Sequence, residues 1–472
     1  MFSCEAPGHS GARGRRQQRG RPAQGHDVQN TVVSPRARRR VTLGTHRAHL
    51  DGYDSPPTPQ AANEPFHQPQ QGALPLPQPL GPHECDLVRR SVAVVEPQAG
   101  ELAVYFYAIL FVRYPEVRPL FPENMDVQRD RLLRALLRIV DLVDSPEHLA
   151  QFCSRLGRDH RKFGAVTAHY AAVGECLLET LARFAGPAWT PEIALAWERA
   201  YGIAAETMIL AADSDSRLRP AVWNAQIVGH RHLGNALAEV TVATDPVYPY
   251  KAGQFVSMET PWRPRVWRHY SPANAPRPDS TLTFHVRHVA GGHVSHALVY
   301  RARIGDMVRL GPPEGDMVLS APSGRDLLLA AGGTGLAPIR ALIEEIANDP
   351  HRLQGRHVNL FVGARTGNEL YGLDEMLRLS QRHHWLTVRA AVSHEHIPGA
   401  EGSLPDVIAA SGTGAHAEAY LSGPPGMVAA ARQVLLRCGL PPAQIHHDPL
   451  GVPVLDAPLD PGHPEKEEDN RI

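Results

Sequence analysis

The feature that most limits what this chain can fold into is a double change in its hydrophobic period. From about residue 85 to 215 apolar residues recur at helical spacing: after Thr190-Pro191, the residues Ile193, Trp197, Tyr201, Ala204 and Met208 follow one another three or four apart and draw one buried stripe. Near 218 the period shortens. In LTFHVRHV, Leu282, Phe284 and Val286 alternate with Thr283, His285 and Arg287, and turns rich in glycine and proline follow. From about 324 onward short apolar runs (DLLLAA, HVNLFVGA, LTVRAAV, AYLSG) alternate with helical stretches such as APIRALIEEIAN and GMVAAARQVLLRCG, the pattern of a parallel sheet with crossover helices.

The chain is therefore expected to be multidomain: an all-α domain over 85–217, an antiparallel β-barrel over 218–322 and an α/β parallel-sheet domain over 323–456. Its 472 residues suit about three domains. Two helix starts are marked by a hydroxyl followed by proline, Ser145-Pro146 and Thr190-Pro191, with the hydroxyl as expected N-cap. Residues 1–84 are rich in Arg, Gln, Pro, Gly and His and lack the apolar surface that would offset chain entropy, so a disordered basic arm is expected there, and a polar tail over 457–472. The formal charge of −1 hides ten arginines within residues 1–50, opposed there only by Glu5 and Asp27. A solvated arm is the plainer account of that charge, and no contact with nucleic acid is expected. Five cysteines form no CxxC pair, which removes zinc and iron–sulfur centres from consideration and suits a cytoplasmic protein. No apolar run approaches the length of a membrane span.

The chemistry sits in motifs of the second and third segments. RHYS places Arg268, Tyr270 and Ser271 together; GGHVS follows with Gly291, Gly292, Val294 and Ser295, and then GPPEG at 311–315. A pyrophosphate needs a fixed cation and backbone N–H groups, which Arg268 and the Gly-Gly turn, followed by an expected serine-led helix, can offer. AAGGTGLAP puts Gly332, Gly333, Thr334 and Gly335 between a strand and a helix, where backbone approaches a dinucleotide that side chains would obstruct; SGPPGM adds Ser422, Gly423 and Pro424. The order of these motifs resembles the ferredoxin-reductase-like flavoproteins. The resemblance implies FAD held by the arginine, tyrosine and serine of RHYS, and NADH or NADPH at the glycine loops. Ser422 stands where that family has a cysteine. Arg365, just after HVNLFVGA, lies where the family meets the adenosine ribose and is a candidate reader of a 2'-phosphate, with a plain solvated arginine as the equal alternative.

The helical segment resembles the globin of the flavohemoglobins. YFYAILFVRYPEVRPLF places Tyr107 at that family's distal tyrosine and Phe121 at its heme-packing phenylalanine; QRDRLL places Gln128 and, one turn on, Leu132; GRDHRKF places His160 at the iron ligand. One neutral imidazole holds heme iron, and a hydroxyl and an amide can donate to bound oxygen. Tyr170 matches the tyrosine behind the proximal histidine, whereas the glutamate that completes that chain aligns with Ala212 and has Asp213 as its neighbour, usable only if the helix shifts or frays. Leu450 stands where an aromatic usually covers the flavin. The resemblance implies noncovalent heme b, FAD and a nicotinamide in one chain, no separate ferredoxin, no membrane partner, and nitric oxide dioxygenation with O2 and NO as small-molecule substrates. A heme or ferric reductase, an oxygenase reductase and a globin-based gas sensor are the alternatives.

Overall fold

The computed structural model describes residues 77–234, 236–320, 324–412 and 416–448. The expected arm over residues 1–76, the tail and Leu450 lie outside them. The helical domain contains α1 (Pro82–Val95), α2 (Ala99–Arg113), α3 (Asp126–Asp141), α4 (Pro146–His160), α5 (Thr167–Ala185) and α6 (Pro191–Ser216). Helix α1 starts at Pro82, so the last three residues of the segment expected to be arm are helical. Thr190 caps α6 as expected, its Oγ1 accepting from the Ile193 N–H at 3.3 Å. Ser145 does not cap α4; its hydroxyl turns to Asp144 instead, and the start rests on Pro146 at the first turn. Trp197, Ala204 and Met208 of the α6 stripe are buried. The crossing of α4 and α6 is close because Gly157 has no Cβ, which would run into the backbone of Met208.

The barrel is a six-stranded sheet of β1 (Trp223–Gly234), β2 (Leu237–Thr244), β3 (Phe255–Thr260), β4 (Arg263–Tyr270), β5 (Thr281–Arg287) and β6 (Met307–Glu314). Its order is β4-β3-β6-β1-β2-β5, with every pairing antiparallel. The edges β4 and β5 approach just past Tyr270, where Pro272 bridges to Phe284 and the Ala273 N–H donates to the Thr283 carbonyl at 2.6 Å. The alternation read in β5 does not separate core from solvent, since Thr283 and His285 are buried along with Leu282, Phe284 and Val286. The outer face is covered: Thr283 bonds Thr241 on β2 at 3.2 Å, and the Tyr371 ring of the α/β domain lies 5.5 Å from that of His285.

The third domain has a five-stranded parallel sheet in the order β11-β10-β7-β8-β9. Its strands are β7 (Asp326–Gly332), β8 (Val358–Ala364), β9 (Leu386–Val392), β10 (Ala417–Ser422) and β11 (Ile445–His447). After the four-residue α7 (His293–His296) in the barrel, the crossovers carry α8 (Leu336–Asn348), α9 (Leu373–Arg382), α10 (Leu404–Ala410) and α11 (Pro425–Arg437). The chain runs outward from β7 through β8 to β9, then returns to β10 on the other side. The switch point between β7 and β10 opens a crevice at the carboxyl ends of these two strands. Arg340 of α8 reaches the Ala273 carbonyl and Arg277 pairs with Glu344 at 3.0 Å, which ties this domain to the barrel.

Candidate active site

In the helical domain, α2, the turn after it and α3 bring Tyr107, Phe121 and Leu132 into one apolar cluster. The rings of Tyr107 and Phe121 are 5.5 Å apart, edge to face. Tyr107 is 5% exposed, and burial pushes its hydroxyl well above the ordinary tyrosine range, so it stays a donor. The hydroxyl donates to the backbone carbonyl of Gln128 at 3.3 Å, not to the side-chain amide. Gln128 is thus beside Tyr107 as expected, but the bond between them runs through its main chain.

His160 is the last residue of α4. Its Nδ1 lies 2.7 Å from the Leu156 carbonyl one turn back, and since a carbonyl only accepts, Nδ1 carries the proton and Nε2 keeps its lone pair. Burial also lowers the imidazole's pKa, holding the neutral form that binds a metal. The expected chain behind it, through Tyr170 to a carboxylate, is not assembled: the ring's hydrogen bond goes to Leu156, and α6 runs unbroken to Ser216 with Asp213 exposed on its surface. The Tyr170 carbonyl accepts from the Tyr201 hydroxyl at 2.5 Å, and burial followed by the charge of Asp213 pushes the Tyr170 hydroxyl up to about 12. The buried carboxylate of this region is Asp215, which sequence reasoning passed over; it holds Arg161 and, at 2.7 Å, Arg219.

In the barrel, Arg268 and Tyr270 lie at the end of β4, with Ser271 next in the chain. Tyr270 packs against the barrel core and Arg268 donates to its neighbour's carbonyl, Trp267, at 2.8 Å. Gly291 and Gly292 form the turn before α7. That helix is led by His293 and not by a serine; Val294 and Ser295 are buried inside it, and the Ser295 hydroxyl is occupied by the turn, donating to the Gly292 carbonyl at 2.9 Å. Ser295 shapes the loop, and Gly291 is left exposed with open space beside it.

The two glycine-rich loops of the α/β domain meet back to back at the switch point. A Cβ on Gly335 would collide with the Ser422 carbonyl, and one on Gly423 would lie 3.0 Å from the backbone N and O of Gly332. Gly332, Gly333, Thr334 and Gly335 therefore share one wall with Ser422, Gly423 and Pro424, and main chain faces the crevice where a pyrophosphate would sit. Arg365 stands at the end of β8 and is held by Glu369, Nε to Oε2 at 3.2 Å and an Nη to Oε1 at 2.6 Å.

Several residues escaped sequence reasoning because only the assembled domains bring them together. Lys162 and Trp267 meet between helical domain and barrel. Burial, and then the like charge of Arg268, bring the Arg131 guanidinium of α3 down to about 10, so the two arginines feel each other across that seam. Asp448 has a buried Oδ1 with no hydrogen-bond partner among the described residues, and burial raises its carboxyl to about 7. An orphaned buried carboxylate at the barrel's Gly315 turn suits a ligand-contacting position better than a structural one.

Family models match three segments: globin over residues 104–208, oxidoreductase FAD-binding domain over 237–318 and oxidoreductase NAD-binding domain over 329–433. A flavohemoprotein of Bordetella pertussis is 28% identical over 405 residues, covering 79% of this chain and 98% of that protein. A flavohemoprotein of Deinococcus radiodurans is 28% identical over 384 residues, covering 75% of this chain and 93% of the other. Among solved structures, the flavohemoglobin of Malassezia yamatoensis, determined with bound FAD and heme, aligns with a TM-score of 0.66 over 79% of this chain and 100% of that one. At 18% identity that likeness is one of fold. No helix among the described residues is long and apolar enough to cross a membrane.

Proposed function

Because this chain has the flavohemoglobin architecture, a globin followed by FAD-binding and NAD-binding oxidoreductase domains, we propose that it passes electrons from NADH or NADPH through FAD to heme b and converts nitric oxide and oxygen to nitrate. The observation that supports this most is the imidazole of His160, whose Nδ1–H is committed to Leu156 so that Nε2 is free to ligate iron, while Tyr107 and Phe121 share an apolar cluster of the same domain. When bound, the nicotinamide supplies hydride, FAD divides it into single electrons, and the heme iron offers a position for a diatomic gas. Two nitric oxide, two oxygen and one NADH give two nitrate, one NAD+ and one proton.

The residues divide the work. Gly332 to Gly335 and Ser422 to Pro424 admit the nicotinamide dinucleotide through main chain, while Arg268, Tyr270, Ser271 and the Gly291–Gly292 turn hold FAD. Phe121 and Leu132, partly buried in the Tyr107 cluster, would pack against the heme. The Tyr107 hydroxyl, kept protonated by burial and now donating to the Gln128 carbonyl, would be a hydrogen-bond donor to a diatomic ligand, with the Gln128 amide as a second donor.

Asp213, exposed and unbonded to Tyr170, favours a second reading in which the heme is reduced but oxygen is not activated, as in a heme or ferric reductase. The two readings part in one experiment. Protein reduced anaerobically with NADH or NADPH is mixed with oxygen and nitric oxide, and nitrate is counted per nicotinamide consumed. Dioxygenation requires a value near two. Fast flavin and heme reduction without nitrate would leave the reductase, and slow reduction of both with tight gas binding would leave a gas sensor.

A further inference from the structure

The seam between the globin and the FAD-binding barrel holds a lysine to which the reaction above gives no task. Lys162 lies two residues after His160 and is 4% exposed. A buried ammonium persists only where partners replace its water. Here they come from both domains: Nζ lies 2.5 Å from Asp159 Oδ1 on α4 and donates to Ser257 Oγ on β3 at 3.2 Å. The aliphatic stem lies against β6, where a Cβ on Gly311 would be 3.4 Å from the Lys162 Cδ.

The ammonium is also placed over two rings. It stands 5.3 Å from the centroid of Phe163 in the globin and 5.4 Å from that of Trp267 in the barrel. These two rings are 6.3 Å apart, and Phe163 is 6.3 Å from the ring of His160. An unbroken line of side chains thus runs from the iron-side imidazole to Trp267, the residue before Arg268 of the flavin motif. Arg309, tied to Glu259 at 2.5 Å, places a second cation 5.5 Å from the Trp267 ring. Two cations over one indole oppose its oxidation, so Trp267 serves as packed matter between the centres and not as a stop for an electron hole.

We infer that Lys162 is a positioning residue for electron transfer between the two halves. It pins the 160–163 turn to β3 and so holds His160, Phe163 and Trp267 in one packed line. The inference rests on the reading that FAD electrons reach the heme of the same chain. For each hydride taken from the nicotinamide, two single electrons cross the seam in succession, each making ferric iron ferrous, with the oxygen and nitric oxide of the reading above returning it to ferric in between, and one proton goes to solvent; no side chain of the seam changes its oxidation state. Tunnelling falls off exponentially with the gap, so a loosened seam slows this step while leaving both centres intact.

The test uses full-length protein loaded with FAD and heme, as the parent and as Lys162→Met, Lys162→Arg and Ser257→Ala. Anaerobic stopped-flow with NADH under carbon monoxide follows flavin bleaching and heme reduction separately. Hydrogen exchange of the β3 amides and the 161–164 turn is measured on the same oxidised proteins. Lys162→Met is expected to bleach flavin within about twofold of the parent rate, to reduce heme at least about tenfold more slowly, and to exchange its seam amides about tenfold faster. Lys162→Arg restores heme reduction to within about threefold, and Ser257→Ala shows a smaller loss of the same kind, which keeps the test open should Lys162→Met fold poorly. Parental heme reduction in Lys162→Met, a flavin rate that falls in step with the heme rate, or unchanged exchange at β3 would each overturn the inference. A parent protein whose reduced flavin leaves the heme ferric would overturn the underlying reading instead, and the exchange measurement would still decide whether Lys162 pins the seam.

Discussion

The nicotinamide crevice and the heme pocket specify their ligands in opposite ways. At the crevice the working surface is main chain: Gly335 and Gly423 are places where a Cβ has no room, and two loops some ninety residues apart in the sequence press together because neither has side chains in the way. In the heme pocket proposed above the working groups would be single side chains on α2, α3 and α4, each aimed by its own turn of helix. A site made of backbone tolerates variation in its neighbours but not in itself. A site made of side chains depends on its supporting shell, and that shell is where this chain departs from the family it resembles.

If the comparison holds, each site should fail without disturbing the other. The largest effect is expected from His160→Ala, which removes the imidazole that Leu156 orients and abolishes stable heme binding; the Soret band of purified protein should vanish while NADH still bleaches the flavin at the parental rate. A Soret band at full occupancy would disprove the ligand assignment. Gly335→Ala comes next. Its Cβ meets the Ser422 carbonyl, which cannot swing aside as a side chain would, so nicotinamide-driven flavin reduction should fall at least about a hundredfold, equivalent to about 3 kcal/mol. Carbon monoxide binding to dithionite-reduced heme should be untouched, and heme loss in this variant would break the comparison.

The same contrast explains what was legible in the sequence. The order of three domains, the strands DLLL and NLFV and the glycine loop between strand and helix were readable because periodicity and glycine placement act locally along the chain, whereas the switch point came only with the strand order. Tyr107, Phe121 and Leu132 were singled out through resemblance alone, and the structure gathers them into one cluster. Contacts made by the second layer were not. Nothing local marks that His160 bonds Leu156 rather than Tyr170, that the Ser145 hydroxyl leaves its helix uncapped, or that Thr283 and His285 lose solvent to Thr241 and Tyr371. Nothing local marks Lys162 either; its place between Phe163 of the globin and Ser257 and Trp267 of the barrel exists only in the assembled chain.

Asp448 joins both kinds of surface, a side chain placed against a backbone turn: a Cβ on Gly315 would lie 3.0 Å from its Oδ1. Burial, and then Asp316, raise its carboxyl to about 7 from an ordinary value of 3.8. The folded protein therefore keeps this proton up to near neutrality while the unfolded chain releases it near pH 4, so this group's contribution to stability declines as pH rises between those values and is level above. Asp448→Asn removes the ionisation. Thermal unfolding should show little difference from the parent at pH 4 and a more stable variant at pH 8, by up to roughly 2 to 4 kcal/mol. An equal gap at both pH values would mean that the carboxyl ionises in the folded protein as freely as in water.

The smallest effect concerns the far end of the nicotinamide crevice, where a side chain and main chain compete for the same ligand. Past β8, the donors that a 2'-phosphate would use are taken by carboxylates: Arg365 is bound by Glu369 at 2.6 Å, and the Gly367 N–H donates to Glu395 at 2.6 Å. The Arg365 guanidinium also holds Glu369 below the usual carboxylate range, so the acid stays charged wherever the enzyme would work. A doubly charged phosphate entering here must displace one anion and face another, whereas an unphosphorylated ribose can accept from or donate to the same groups. NADH is therefore expected to be the better donor. Glu369→Gln keeps the volume and releases Arg365, and because the pair is exposed and solvent-screened the effect is small, about a twofold to fivefold rise in kcat/KM for NADPH relative to NADH. The rise should appear mainly in KM, and heme reduction by a fixed pool of reduced flavin should not change. If the NADPH to NADH ratio stays at the parental value, the adenosine does not reach this turn, and the glycine loops alone account for nicotinamide binding.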